Sequence, residues 1–498
     1  MSAPGSAVHE SGHSTMHHHT DVITCRNFVD GDWRDAGGDP IDRHNPATGD
    51  LAAVAPRSPS RDVDAAVRSA VRAFATWRKT LPAERARHLH RLAEVCATRV
   101  DELAVSITRE QGKPRNEARG EVTKFVSALH YYAEEAERVS GRTIPNDTAG
   151  FLSIVQKEPV GPVAGIVPWN YPIELTGWKL AGATAAGCTI VLKPSEYTPG
   201  SAQLLSECVA EAMPPGVVNI VYGDGETGQA LAEHPDIAKI AFTGSMRTGQ
   251  AIYRSVSGIT GLSLELGGSC PMIVTDRADV DAAITGATRR SFRNAGQICI
   301  AINRIYVQDG VYDEFVAGLA KAADALTVAD GLAEPDADVG AMTMSETYRR
   351  TLDHIADARA QGARVVAGGE PPQSDSPGLF LRPTVVADAP DEALVMHEET
   401  FGPLVGVARF TELGDAITRA NGAPGGLAAY AYTTDTTETF TLAGDLDFGN
   451  VAVNNVDAGI INAPYGGRRE SGFGSEHGPE GLENYLQLKH IRLRHNAQ

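Results

Sequence analysis

The chain has 498 residues, a formal net charge of −19, a hydrophobic share of 42% and 6% aromatic residues. That length predicts two or three domains rather than one core. The acidic balance argues against nucleic acid and anionic membranes, because both demand basic surfaces to meet phosphate. The six cysteines (Cys25, Cys96, Cys188, Cys208, Cys270, Cys299) lack the paired spacing of a zinc site, so no metal is expected. Their scatter predicts a reduced, cytoplasmic protein whose thiols mostly pack as small core residues. No window approaches the roughly 20 apolar residues that span a bilayer.

Residues 1–20 are rich in Ser, Gly and His without the apolar core of a signal peptide, which predicts a disordered extension. His17-His18-His19 leaves a metal-binding tract as the alternative. Order is expected from Asn27-Phe28-Val29-Asp30-Gly31-Asp32-Trp33, a strand-turn-strand pattern around Asp-Gly. From Ser60 to Ser140 the chain reads as amphipathic helices; Ala65, Val67, Ala70, Val71 and Phe74 make one apolar face. Between Gly141 and Pro159 it turns strand-like, and this segment is expected to form a hairpin arm.

Strand-then-helix units follow. Val163 to Val167 leads into Pro168-Trp169-Asn170, Thr189 to Leu192 into Lys193-Pro194-Ser195-Glu196, and Val217 to Val221 into Gly223-Asp224-Gly225. A fourth strand, Ile237 to Phe242, ends at Thr243-Gly244-Ser245. Short apolar strands alternating with helices predict a parallel sheet, which binds ligands at the carboxyl ends of its strands. After Gly268 the pattern repeats: strand Met272 to Val274, helix Val280 to Phe292, strand Arg304 to Val307 and helix Val311 to Leu326. Leu486 to Leu493 reads as a strand able to pair with the arm.

The turns carry the candidate chemistry. Gly223-Asp224-Gly225-Glu226-Thr227-Gly228 fits a dinucleotide fingerprint, but the acid expected about 20 residues on is missing. A turn with glycines at positive φ is the alternative. Gly244-Ser245-Met246-Arg247-Thr248-Gly249 follows a buried strand and opens a helix, so Ser245 can cap it while free N–H groups face an anion. Lys193 and Glu196 would add a cation and a ribose-hydroxyl acceptor. Asn170, held between two prolines, can donate to an oxyanion without bringing charge, or can bond its own backbone as a turn residue. A thiol at Cys299 after a glycine turn, and a carboxylate at Glu265, are the two groups needed to form a thioester and hydrolyse it. Cys270, before Pro271 and an apolar strand, is the rival thiol and reads as structural.

Seven segments share an order and spacing: Pro168-Trp169-Asn170-Tyr171-Pro172, Lys193-Pro194-Ser195-Glu196, Phe242-Thr243-Gly244-Ser245, Glu265-Leu266-Gly267-Gly268, Gly296-Gln297-Ile298-Cys299, Glu398-Glu399-Thr400-Phe401-Gly402-Pro403 and Pro464-Tyr465-Gly466-Gly467. Together they resemble the NAD(P)-dependent, non-acylating aldehyde dehydrogenases from about Asn27 to the end of the chain. The resemblance implies a Rossmann-like α/β cofactor domain (21–140 and 160–267), a second α/β catalytic domain (268–470), and a small β oligomerisation arm with the C-terminal segment (141–159 and 471–498). It implies Cys299 as nucleophile, Glu265 as general base, Asn170 with the Cys299 N–H as oxyanion hole, and Lys179 with Glu476 as proton relay. The cofactor would be held by Trp169, Lys193, Ser195, Glu196, Gly225, Gly244, Ser245, Gly249, Glu399 and Phe401. A homodimer or homotetramer is expected, as is NAD in preference to NADP, because Glu196 would repel a 2′-phosphate.

Three departures qualify the resemblance. Ser269 stands where lysine or asparagine is frequent, with no catalytic consequence evident. Arg469 replaces a usual lysine in Gly466-Gly467-Arg468-Arg469-Glu470-Ser471-Gly472, and its guanidinium forks where an ammonium does not. Arg293 and the Phe-Arg-Asn-Ala-Gly-Gln wording resemble succinate-semialdehyde dehydrogenases, whose arginine binds a distal carboxylate. Yet Trp178 stands where that subgroup carries a second arginine, and Asp457-Ala458-Gly459-Ile460-Ile461 lacks its serine pair. Tyr171, Trp178 and Tyr465 instead suggest an aromatic tunnel, which leaves Arg293 either a carboxylate clamp or a structural ion pair.

Overall fold

The structure is a computed structural model that describes residues 22–256, 258–372 and 377–495. The expected extension over 1–20, with its histidine run, lies outside them.

The strand Thr189–Lys193 is buried at every residue, and so is Pro162–Ile166. Continuous apolar runs of this kind need cover on both faces, and both faces are covered. Helices Pro82–Thr98, Arg115–Ala136 and Pro172–Ala186 contribute to a core on one side with Leu89, Phe125, Leu180 and Leu192. Helix Ser60–Trp77 contributes Val63 and Val67 to the opposite core, beside Ile240 and Leu264. A buried leucine of this kind contributes about 1.5–3 kcal/mol, so Leu192→Ala is expected to cost about 2–5 kcal/mol once the cavity is included.

This first sheet has eight strands in the spatial order Gly472–Phe473, Gly261–Leu266, Lys239–Gly244, Pro162–Ile166, Thr189–Lys193, Val218–Ile220, Asn27–Val29 and Asp32–Arg34. Its interior pairs are parallel, while Gly472–Phe473 and Asn27–Val29 join antiparallel. From Pro162–Ile166 the chain lays strands in one direction; from Lys239–Gly244 it lays the next on the other side. The crevice between those two strands is therefore a topological switch point, where open α/β sheets bind ligands. Trp169, Asn170, Gly244 and Ser245 leave the sheet on either side of it.

A second sheet holds seven strands in the order Arg364–Ala367, Thr384–Ala387, Leu404–Phe410, Ile302–Gln308, Cys270–Val274, Ala428–Tyr432 and Asn450–Val453. Only the outer pair Arg364–Ala367 with Thr384–Ala387 is antiparallel. Helix Val280–Phe292 has the expected bounds, and helix Tyr312–Asp324 and strand Cys270–Val274 differ from expectation by one or two residues at their ends. Leu486–Arg494 pairs antiparallel with Phe151–Pro159, residue for residue, and Arg142–Ile144 adds a third strand. The result is a mixed α/β fold with two large sheets and a projecting ribbon. Among the described residues no helix is long and apolar enough to cross a membrane.

Candidate active site

Cys299 arrives at the cavity on an unusual backbone. Asn294, Ala295 and Gly296 take φ values of 50°, 52° and 69° in succession. Left-handed conformation at two non-glycine residues is costly and persists only where neighbours enforce it. They do so here. Gln111 Nε2 donates to Asn294 Oδ1 at 3.0 Å, Gln297 Nε2 to the Asn294 carbonyl at 3.0 Å, and the Thr343 N–H to Gln297 Oε1 at 2.9 Å. An added Cβ on Gly296 would meet the Gly402 carbonyl at 2.1 Å, so only glycine closes this turn. The chain then delivers a partly buried thiol, the other five cysteines being buried.

Asn170 is locked in the same way. Its carbonyl accepts from Lys113 Nζ at 2.7 Å and from Asn294 Nδ2 at 3.0 Å, while its own Nδ2 donates to the Gln297 carbonyl at 3.1 Å. Lys113 is itself paired with Glu121 at 2.6 Å, both side chains fully buried. Glu121 also accepts from the Ile173 N–H at 2.9 Å and so pins the helix that follows Asn170. One Nδ2 hydrogen of Asn170 is left over, and the Cys299 N–H carries no partner among the described residues.

Glu265 is 4% exposed, and neither carboxylate oxygen has a partner among the described residues. Burial pushes its pKa well above the usual carboxylate range; Glu476 adds to this and Lys179 opposes it. Lys179 is fully buried and donates to Glu476 Oε1 at 2.5 Å and to Thr243 Oγ1 at 2.6 Å. At Cys299, burial pushes the thiol up to about 12, a hydrogen bond from Tyr465 works the other way, and Glu399 and Glu265 push up further. Such a buried, mutually perturbed set of groups is what reactive sites require.

One cavity of about 840 Å³ joins these groups to the strand-end turns. Around Cys299 its wall is Leu175, Trp178 and Tyr465; farther along come Trp169, Lys193, Ser195, Glu196, Gly225, Gly244, Ser245, Glu399 and Phe401. The volume suits a ligand of dinucleotide size. Ser245 caps helix Met246–Ser255 by accepting from the Thr248 N–H, and no atom lies within 4 Å of where a Gly225 side chain would begin. A Cβ on Gly267 would sit 2.2 Å from Glu399 Oε1, so that glycine keeps the half-buried Glu399 carboxylate in place. Burial raises Glu399 to about 7. Phe401, at φ 56°, meets Trp169 edge-on at 5.4 Å. An open Gly225, a capped helix start and an acceptor carboxylate fit a nicotinamide dinucleotide.

Four expected site residues do not line this cavity. Lys179 lies behind it against Glu476. Gly249 sits inside helix Met246–Ser255, where a Cβ would meet Leu266 Cδ2 at 2.5 Å; its work is close helix-strand packing. Tyr171 is buried, with its hydroxyl donating to Glu117 Oε1 at 2.9 Å and Lys113 Nζ lying 3.7 Å over its ring. Arg293 Nε pairs with the same Glu117 oxygen at 2.9 Å, and the Asn294 N–H donates to the other at 3.1 Å. Arg293 borders a separate hollow with Phe292, Asp338 and Val339. Arg469 does use its fork: it donates to the carbonyls of Asn421, Ala423 and Gly425 at 2.7–2.8 Å. Cys270 is buried and donates to the Cys299 carbonyl at 3.5 Å.

Sequence reasoning missed Gln111, Lys113, Glu117, Glu121 and Thr343. The available signal was polar residues falling four apart, Glu117 and Glu121, on what became the buried side of a helix.

The sequence matches the aldehyde dehydrogenase family profile over residues 33–491. It is 42% identical to the NADP-dependent succinate-semialdehyde dehydrogenase of Escherichia coli over 471 residues, covering 93% of this chain and 96% of that one. It is 41% identical to a glutarate-semialdehyde dehydrogenase of Pseudomonas aeruginosa, covering 94% and 97%. The fold superposes on the solved NAD-dependent aldehyde dehydrogenase of Sinorhizobium meliloti with a TM-score of 0.92 at 34% identity, covering 95% of each chain. The chain belongs to the aldehyde dehydrogenase family, and it is an oxidoreductase that converts aldehydes to acids with NAD or NADP as hydride acceptor.

Proposed function

We propose that Cys299 adds to the aldehyde carbon, that Glu265 activates the water that later releases the acid, and that NAD is preferred to NADP. One observation carries the assignment: a partly exposed thiol shares its cavity with a buried, partnerless carboxylate and a locked amide donor. As the carbon–sulfur bond forms, charge moves to the carbonyl oxygen, where Asn170 Nδ2 and the Cys299 N–H receive it. One such donor is typically worth about 3 kcal/mol of barrier. Bound nicotinamide supplies the acceptor for the hydride that leaves the adduct. Glu265 then takes a proton from water, which its raised pKa favours, and the Glu476–Lys179 pair behind it passes that proton on.

Lys193, Ser195 and Glu196 would hold the adenosine ribose, Gly225, Gly244 and Ser245 the pyrophosphate, and Glu399, Phe401 and Trp169 the nicotinamide half. Gly249 would keep the pyrophosphate helix close to the sheet. Glu196 supports NAD, since its carboxylate lies 3.2 Å from Lys193 and occupies the cation that a 2′-phosphate would need. The first sheet with residues 21–140 and 160–267 would be the cofactor domain and 268–470 the catalytic one. The ribbon exposes Ile144, Leu152, Leu488 and Leu493 beside its outer strand edges, which supports a homodimer or homotetramer.

For the substrate, the Leu175, Trp178 and Tyr465 wall supports an aldehyde with an apolar or aromatic body. The second reading is an acidic semialdehyde, favoured by Arg293, whose side chain stays 31% exposed beside Glu117. Kinetics on succinate semialdehyde, an aliphatic and an aromatic aldehyde, with each dinucleotide, test both. Selective loss of the acidic substrate in Arg293→Ala would establish the clamp. Equal loss for all three would leave Arg293 as support for the nucleophile turn. Comparable turnover with NADP would sink the NAD preference.

A further inference from the structure

Tyr465 carries a phenol that the roles of Cys299, Glu265 and Asn170 leave unused. Its hydroxyl lies 3.3 Å from Cys299 Sγ and is the sole hydrogen-bond partner of that sulfur among the described residues. The phenol has no other partner among the described residues, and Tyr465 is 3% exposed. A ring placed only as an apolar wall needs no hydroxyl there, and a buried hydroxyl without a partner would be costly.

The ring is held from every side. The Tyr465 N–H donates to the Glu476 carbonyl and the Glu476 N–H to the Tyr465 carbonyl, each at 2.7 Å. Trp178 and His477 pack on the ring at centroid distances of 5.6 and 5.5 Å, and His477 takes a φ of 61° to do so. A Cβ on Gly459 would come within 3.1 Å of the ring, and one on Gly466 within 2.5 Å of the Gly474 carbonyl. The phenol is therefore aimed at the sulfur before any substrate enters, as a preorganised donor must be.

We propose that Tyr465 is a catalytic residue whose hydroxyl donates to the Cys299 thiolate and holds it ready for the aldehyde. This rests on the assignment of Cys299 as nucleophile. A thiolate has no proton to give, so in that state the phenol is the donor. The proton that leaves the thiol goes to the Glu265 carboxylate and on through the Glu476–Lys179 pair, which leaves Glu265 able to take the later proton from water. When sulfur uses a lone pair to bond the aldehyde carbon, the carbonyl π pair moves to oxygen and sulfur becomes a thioether, a weak acceptor. The phenol keeps its proton throughout; its bond to sulfur is spent, and stabilisation passes to the oxyanion donors.

The test is iodoacetamide alkylation of the cofactor-free enzyme between pH 7 and 9, following Cys299 by peptide mass, in wild type and Tyr465→Phe. If the phenol raises the thiolate fraction about tenfold, its loss is partly offset by a more nucleophilic sulfur, with a Brønsted slope of about 0.4–0.5. Alkylation is then expected to slow about threefold, and kcat/KM to fall by one common factor for a small aliphatic and a bulky aromatic aldehyde. Alkylation that is unchanged or faster, or a kcat/KM loss that tracks aldehyde size, would overturn the proposal and leave Tyr465 as wall. Because alkylation needs neither dinucleotide nor aldehyde, unchanged alkylation would refute the phenol's hold on the sulfur alone, whereas aldehyde oxidation that survives Cys299→Ala would refute the nucleophile assignment.

Discussion

The thiol end of the cavity and the end proposed to hold the dinucleotide are built in opposite ways. The adenosine and pyrophosphate side of the latter is made from local contacts: Ser245 caps its own helix, Asp224 caps the helix from Gly225, and Lys193 pairs with Glu196 three residues on. The thiol end is made from distant segments. Gln111, Lys113, Asn170, Asn294 and Thr343 meet there across hundreds of residues, and two carboxylates, Glu265 and Glu476, stay buried with unpartnered oxygens. Binding can be met by turns that are stable on their own. Reactivity needs groups held against their preference for water, and only a large, rigid surround can hold them.

If that division is right, substitutions at the thiol end should remove chemistry and spare dinucleotide binding. The largest effect is expected for Cys299→Ala: turnover should fall by on the order of 10⁴-fold or more while dinucleotide binding, followed by protein fluorescence, persists. Loss of binding alongside turnover would erase the distinction. Glu265→Gln should cut steady-state turnover by about 10²–10⁴-fold yet keep an initial burst of cofactor reduction, because the base is needed after hydride has left.

The same variant tests stability. A carboxyl whose folded pKa is raised binds more protons folded than unfolded, so its contribution declines as pH rises from about 4.3 towards the raised value. Glu265→Gln should therefore melt higher than wild type at pH 8, with the gap closing below pH 4. A gap independent of pH would mean the carboxylate is not destabilising there.

Breaking the Lys113–Glu121 pair by Lys113→Ala leaves a buried charge alone and should cost about 3–5 kcal/mol in denaturant unfolding. A loss under about 1 kcal/mol would show that the Asn170 turn stands without it. The smallest effect belongs to the dinucleotide end: Glu196→Gln should shift the ratio of kcat/KM values towards NADP by roughly tenfold, about 1.4 kcal/mol, with kcat on NAD little changed. A matching fall in kcat would place Glu196 in the chemistry instead.

Much of this was legible along the chain. The strands ending at Ile166, Lys193 and Gly244 announced themselves as apolar runs closed by Gly, Pro or Ser, because a strand covered on both faces tolerates little else. The arm and its partner strand were legible by alternation. Tyr171 was not, and Arg293 was legible only as a choice between a carboxylate clamp and an ion pair. Both carry residue types suited to a tunnel, and both are drawn to Glu117, a residue far away in sequence whose carboxylate satisfies three donors at once. Gly249 resembled a phosphate glycine but is used for its missing side chain against Leu266.

The sequence by itself determined the reaction class, since seven segments in one order and spacing carry a family resemblance that none of them carries alone. It also determined that two α/β sheets would form. Which side chains touch was decided only by the tertiary structure. The φ values of Asn294 and Ala295, the buried ion pair beneath Asn170, and the phenol set against Cys299 arise from contacts between segments that no local pattern encodes. Local patterns record what a residue can do; burial and strain, supplied by distant neighbours, decide what it does.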